Sequence, residues 1–210
     1  MFTFFDLETT DKYPVSAEIL TGYFFSTDEN FKKIDECYIE SQVDNYKIDS
    51  FEIHGISKAQ AMKFPPKREA LRKMISYMLK HKNNFFVCHA NGDIMGKKGY
   101  FDWQVIMMQM HFLSDDAYWF FLKNFSQTKV ISTHTIAKKT LKLQNYKLNT
   151  IAKYFNIELN HHEAKSDTIA TAKIFEKLLN HYKKLSNNEL YNLAHWSGDI
   201  DFNKKIGRMI

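Results

Sequence analysis

The spacing of apolar and polar positions changes several times along the 210-residue chain, and each change marks a predicted element. Phe2 to Glu8 begins as an apolar, aromatic run and ends in acids, which predicts a short strand. Two more strand-like runs, Ala17 to Ser26 and Lys33 to Ser41, flank the turn-like Thr27-Asp28-Glu29-Asn30. Connections this short imply an antiparallel meander. After Pro65-Pro66, the residues Leu71, Met74, Ile75, Met78 and Leu79 recur at helical spacing, with proline near the helix start. Phe85 to Cys88 and Lys129 to Ser132 predict a fourth and a fifth strand. Helical patterns follow Asp102 (Val105, Ile106, Met107, Met110) and cover Asp115 to Phe125, Thr133 to Leu141, Leu148 to Phe155 and Ala164 to Lys184. Strands first and alternating helices afterwards predict an α/β protein with a mixed sheet.

Composition narrows this to one domain. Apolar residues make up 44% of the chain, including 18 Phe, enough to close a core at this length. With 7 Gly and 3 Pro there is no linker-like tract, and no internal repeat is visible. We expect residues 1–185 to form the domain and 186–210, with Trp196 and Gly198, to be a terminal appendage packed on it. The excess of 29 Lys+Arg over 24 Asp+Glu leaves a charge of +5 and a pI near 9.0, a mild bias toward polyanionic partners. Cys37 and Cys88 lie far apart in strand-like stretches, which indicates neither a disulfide framework nor a zinc cluster and suits a reducing compartment. No leader-like segment and no apolar run of about 18 to 20 residues is present, so a cytoplasmic protein without a membrane partner is expected.

Two groups of residues carry candidate chemistry. Asp6 and Glu8 are two apart on a predicted strand, so both leave the same face and can meet one metal ion. A solvent-facing acidic pair is the alternative, but these acids end a strand that reads as central, where uncompensated charge is costly. The second group is His162-Glu163-Ala164-Lys165-Ser166-Asp167 at the start of the last long helix, whose N-terminus favours an ionised Asp167 and a nearby phosphate. Read separately, His162 could be an ordinary surface histidine and Asp167 a first-turn helix acid.

Together the segments show a family pattern. Phe5-Asp6-Leu7-Glu8-Thr9-Thr10 resembles the first motif of the DnaQ-like exonucleases, and His162-x-Ala164-x-x-Asp167 resembles the third motif of their histidine-bearing DEDDh branch. His54-Gly55-Ile56-Ser57, and the stretch from Ser132-Thr133 to Leu148, also match intervening features, so the resemblance covers about residues 1–185. It implies an RNase H-like fold, with a mixed five-stranded sheet of antiparallel meander plus parallel strands flanked by helices. It also implies 3′→5′ hydrolysis of phosphodiester bonds at single-stranded DNA or RNA ends. Two divalent ions, Mg²⁺ or Mn²⁺, would be held by Asp6, Glu8, Asp102 and Asp167, with His162 as general base.

The middle motif departs from the pattern. Cys88-His89-Ala90-Asn91-Gly92-Asp93 is separated from Tyr100-Phe101-Asp102-Trp103 by a basic, glycine-containing insertion, so Asp93 and Asp102 compete for one role. Asp102 is preferred, having an aromatic residue before it and a helical apolar pattern after it. The spacing is similar to that of TREX-type exonucleases, with Asp93 the alternative ligand. By the same resemblance, the backbone around Leu7 and Thr9 approaches the terminal nucleotide, and His54, Gly55 and Ile56 pack on its base and sugar. His89 and Asn91 would hydrogen-bond a phosphate or cap a strand end, and Lys97 and Lys98 would track the backbone or form a solvated loop. Two other functional classes stay open, a catalytically silent nucleic-acid-binding module and a phosphatase of small nucleotides. A polymerase or a second copy is conceivable as partner, and no segment singles out either.

Overall fold

The computed structural model describes residues 1–90, 93–94, 97–98, 100–160 and 162–181. The first three runs become β1 (Phe2–Thr9), β2 (Ile19–Thr27) and β3 (Lys33–Glu40), paired as an antiparallel meander. The β2–β3 turn is held by Asp28, whose carboxylate accepts the Asn30 and Lys32 N–H groups, both at 2.9 Å. Three helices follow: α1 (Ile48–His54), α2 (Lys58–Ala61) and α3 (Lys67–Lys80). Pro66 is the N-cap of α3, as the proline pair predicts.

The rest of the chain alternates strand and helix. β4 (Phe85–Cys88) leads into a two-stranded hairpin of β5 (Asp93–Ile94) and β6 (Lys97–Lys98), then α4 (Phe101–Leu113) and α5 (Asp115–Phe125). β7 (Val130–Ser132) runs directly into α6 (Thr133–Thr140), and α7 (Leu148–Tyr154) and α8 (Ala164–His181) complete the described chain. The main sheet has the order β3-β2-β1-β4-β7, in which β1 pairs antiparallel with β2 and parallel with β4, and β4 pairs parallel with β7. This is the mixed five-stranded sheet expected from the sequence.

Helices cover both faces of the sheet. One core joins Phe5, Leu7, Phe24 and Phe86 to α3, α4 and α5 through residues such as Leu71, Met74, Ile106 and Phe121. The other joins Phe2, Phe4, Phe25 and Val87 to α6, α7 and α8 through Ile136, Ile151, Ile174 and Phe175. Every residue of β2 is buried, because both of its faces are covered. Phe175 of α8 packs on Phe2 and Phe4 with ring centroids 5.1 and 5.8 Å away. The two-residue period of β1 therefore carries the α8 side from Phe2 and Phe4 to Asp6 and Glu8.

Some details differ from the sequence reading. β2 begins at Ile19 rather than Ala17, and the β1–β2 register shifts between Glu8 and Thr9. Two short helices, α1 and α2, occupy a stretch that gave no periodic signal, and the described residues of the insertion, read as a loop, pair as the short strands β5 and β6. The segment from Ser186 onward, with Trp196 and Gly198, and the last residues of the helix drawn to Lys184 lie outside the described residues. Among the described residues, no helix is long and apolar enough to cross a membrane.

Candidate active site

The acids of the first and third motifs meet where β1 passes the first turn of α8. Single carboxylate oxygens of Asp6, Glu8 and Asp167 all lie within 4.8 Å of one another. Glu8 and Asp167 are buried, and Asp6 is partly buried. Asp102 enters from the first turn of α4 and is 6% exposed. Its charge acts on both Asp6 and Glu8, so the four acids form one electrostatic unit.

Burial, followed by the charges of Asp102, Glu8 and Asp167, holds the Asp6 carboxyl well above the usual carboxylate range. Glu8 is pushed up to about 8 by burial and then by Asp167 and Asp102. Burial raises Asp102 to about 7. Carboxylates crowded in this way resist full ionisation unless a cation compensates them. Their donor atoms are hard oxygens, a set that fits Mg²⁺ or Mn²⁺ better than zinc. The nearby Cys88 sulfur does not compete, because burial and the charges of Asp102 and Asp6 hold its thiol well above its ordinary value, and it stays uncharged.

His162 is exposed and takes a left-handed backbone conformation with φ 70°. Its backbone N–H donates to the Asp167 carboxylate at 3.3 Å, fixing the histidine loop to the acid of the same motif. Across the site, His54 ends α1 and lies within electrostatic reach of His162; burial first, then that neighbour, lowers the His54 pKa. Gly55, at φ 68°, stops α1 in the left-handed conformation that glycine adopts without strain.

The remaining predicted site residues are placed as follows. The Leu7 side chain is committed to the core on the far face of β1, so it can face the site only through its backbone. The Thr9 hydroxyl donates to the Asp11 carbonyl at 2.9 Å. His89 is packed from both sides, with Nε2 3.1 Å from the Tyr146 carbonyl and Nδ1 2.7 Å from the Thr133 hydroxyl. Asn91 lies outside the described residues, as do the side chains of Asp93, Lys97 and Lys98, whose backbones form β5 and β6. Sequence reading passes over His134 and Tyr146, whose rings gather beside His89 with centroids 5.8 Å (His89–His134) and 6.1 Å (His134–Tyr146) apart. They come from separate segments, and no spacing rule links them.

A mixed sheet of this order, with an acidic cluster over its central strand, defines the RNase H-like class of nucleic-acid-cleaving folds. Residues 3–175 match the model of the RNase_T exonuclease family, and the chain belongs to that DnaQ-like family. The DNA polymerase III PolC-type of Caldanaerobacter subterraneus subsp. tengcongensis is 27% identical over 192 residues, covering 85% of this chain but 11% of that protein. Among solved structures, E. coli Exonuclease I in complex with a dT13 oligonucleotide is similar with a TM-score of 0.72 and 17% identity, over 87% of this chain and 42% of that one. Exonuclease X in complex with 5′ overhanging duplex DNA is similar with a TM-score of 0.66 and 16% identity, over 92% of this chain and 99% of that one. The chain thus spans about a tenth of the polymerase and less than half of Exonuclease I.

Proposed function

We propose that this domain is a metal-dependent exonuclease that removes nucleotides from the 3′ end of single-stranded nucleic acid, and that residues 1–185 carry this activity. The observation that supports it most is the convergence of Asp6, Glu8 and Asp167 within 4.8 Å, with Asp102 acting on the same charges, in a chain of an exonuclease family. Asp6, Glu8, Asp102 and Asp167 would hold two divalent ions, Mg²⁺ or Mn²⁺. When bound, such ions lower the pKa of a coordinated water and neutralise charge at the phosphoryl group.

The chain's own residues supply the rest. Asp6 and Glu8 leave one face of the central strand, where β1 stays paired with β2 through Asp6–Tyr23 and Glu8–Thr21 after its pairing with β4 has ended at Phe4, and this positions their carboxylates. Burial of Glu8, Asp102 and Asp167 keeps bulk water from solvating the acids, so the cluster's affinity is directed to cations. His162, at the rim, takes the proton from the attacking water, a role suited to imidazole near neutral pH. Its backbone N–H is tethered to Asp167, which supports this role, and its exposure would let the ring exchange that proton with solvent. Gly55 and Ile56, opposite, meet the terminal sugar and base.

Both structural neighbours named above were solved with DNA, so single-stranded DNA is the first substrate to test, with RNA alongside. Incubation of 3′- and 5′-labelled strands with Mg²⁺ or Mn²⁺ checks the proposal. Stepwise shortening from the 3′ end, lost in Asp6→Ala and His162→Ala, is the expected result. Binding without shortening would instead assign a silent nucleic-acid-binding module, and preferential turnover of a mononucleotide ester would assign a phosphatase.

A further inference from the structure

The connection between β1 and β2 contains a buried carboxylate that the chemistry above does not use. Glu18 is 5% exposed and precedes β2 by one residue. Its backbone prolongs the β1–β2 pairing beyond the acids: the Thr10 N–H donates to the Glu18 carbonyl at 2.9 Å, and the Glu18 N–H donates to the Thr10 hydroxyl at 3.0 Å. Oε2 accepts the backbone N–H groups of Asp44 at 2.6 Å and Asn45 at 3.0 Å. Oε1 accepts the Lys67 ammonium at 2.6 Å. One carboxylate thus ties the end of the metal-binding strand to residues 44–45 and to the first residue of α3. Such charge-assisted bonds, shielded from water, are stronger and more directional than surface contacts.

The tie continues toward the site. Tyr46 follows Asn45 directly, and its hydroxyl donates to the Ile56 carbonyl at 2.6 Å. The Ile56 N–H in turn donates to His54 Nδ1 at 3.0 Å, so both backbone groups of Ile56 are held. Because Nδ1 accepts, neutral His54 carries its proton on Nε2, and that buried nitrogen has no hydrogen-bond partner among the described residues. The turn His54–Ile56 is therefore braced from behind while it presents an unsatisfied donor.

We propose that Glu18 and Tyr46 act in series as positioning residues for the turn His54–Ile56, setting the grip on the terminal nucleotide from the β1–β2 connection. This rests on the exonuclease reading above. Glu18 locates Asn45, Asn45 carries Tyr46, and Tyr46 locates Ile56. A role confined to fold stability would lower the melting temperature and leave substrate affinity alone, whereas a brace changes KM.

The test uses the full chain as Tyr46→Phe, Glu18→Gln and the double variant, with steady-state kinetics on 3′-labelled single-stranded DNA and backbone hydrogen exchange. Tyr46→Phe removes one hydroxyl and is expected to raise KM about fivefold with kcat within about twofold, and to speed exchange at residues 54–57. Glu18→Gln is expected to raise KM by more, and the double variant to match Glu18→Gln, as links of one chain do. Unchanged KM and unchanged exchange at 54–57 in Tyr46→Phe, or multiplying effects in the double variant, would overturn the proposal. Should the wild-type chain shorten no strand, the exonuclease reading fails separately; exchange at 54–57 still decides the brace, its acceleration in both single variants upholding it and its constancy refuting it.

Discussion

Leu7 of β1 stands directly across from Gly22 of β2, and a Cβ on Gly22 would lie 2.7 Å from Leu7 Cδ2 and 3.1 Å from Ile39 Cγ1. Leu7 is the residue between Asp6 and Glu8, so crowding at Gly22 presses on the strand that carries both acids. Gly22→Ala is expected to destabilise the fold by about 1 to 3 kcal/mol through overpacking and to reduce metal-dependent turnover. Urea unfolding read alongside nuclease rates checks this; full stability and full activity would show that Leu7 moves aside freely.

Asp102 and Asp93 separate in a matched pair of variants. Asp102→Asn is expected to lower kcat by about two orders of magnitude or more, because a buried acid of the cluster is neutralised. Asp93→Asn is expected to stay within about threefold of wild type if Asp102 is the middle ligand, as proposed. Loss of turnover in Asp93→Asn alone would move the middle ligand to the hairpin.

His162→Gln distinguishes a proton acceptor from a metal ligand. A decrease in kcat of about 10² to 10⁴ is expected, with the Mn²⁺-induced rise in melting temperature retained. A variant that loses the thermal shift as well would make His162 part of the cation site.

Stability of the chelated protein should fall as pH rises. Glu8 and Asp102 sit at about 8 and about 7 in the folded state, above their ordinary values, so the folded chain binds more protons than the unfolded chain across that interval. Stability is then highest below about pH 4 to 5 for these groups and is lost progressively up to about pH 8. Urea midpoints in EDTA should decrease over this range, while excess Mn²⁺ should reverse the slope, since ionised ligands bind it.

Asp35 has the opposite sign. The Lys80 ammonium at 2.8 Å, with the His81 ring at 2.7 Å, holds its carboxyl down at about 2. Its stabilising contribution is present above the unfolded value of about 4 and is lost as pH falls toward about 2. Asp35→Asn should lower stability at neutral pH and flatten this part of the acid-unfolding curve, as followed by circular dichroism.

The sequence by itself determined the strands, the longer helices and the family, because each rests on local periods or short motifs that neighbouring residues carry. Phe2 to Glu8 reads as a strand ending in acids, and Ala164 onward reads as a helix, without knowledge of where either goes. Tertiary structure decided what these segments meet. Asp6 and Asp167 are 161 positions apart, and only the sheet order and the packing of Phe175 on Phe2 and Phe4 bring β1 under the first turn of α8. α1 and α2 have 7 and 4 residues, too few to establish a helical period. Glu18 is invisible as an anchor in the sequence, since two of its partners are backbone N–H groups, which every non-proline residue carries alike, and the third, Lys67, lies far along the chain. Residue types announce chemistry where the family uses particular side chains; contacts made by the backbone, or across long separations, depend on the fold and leave no local trace.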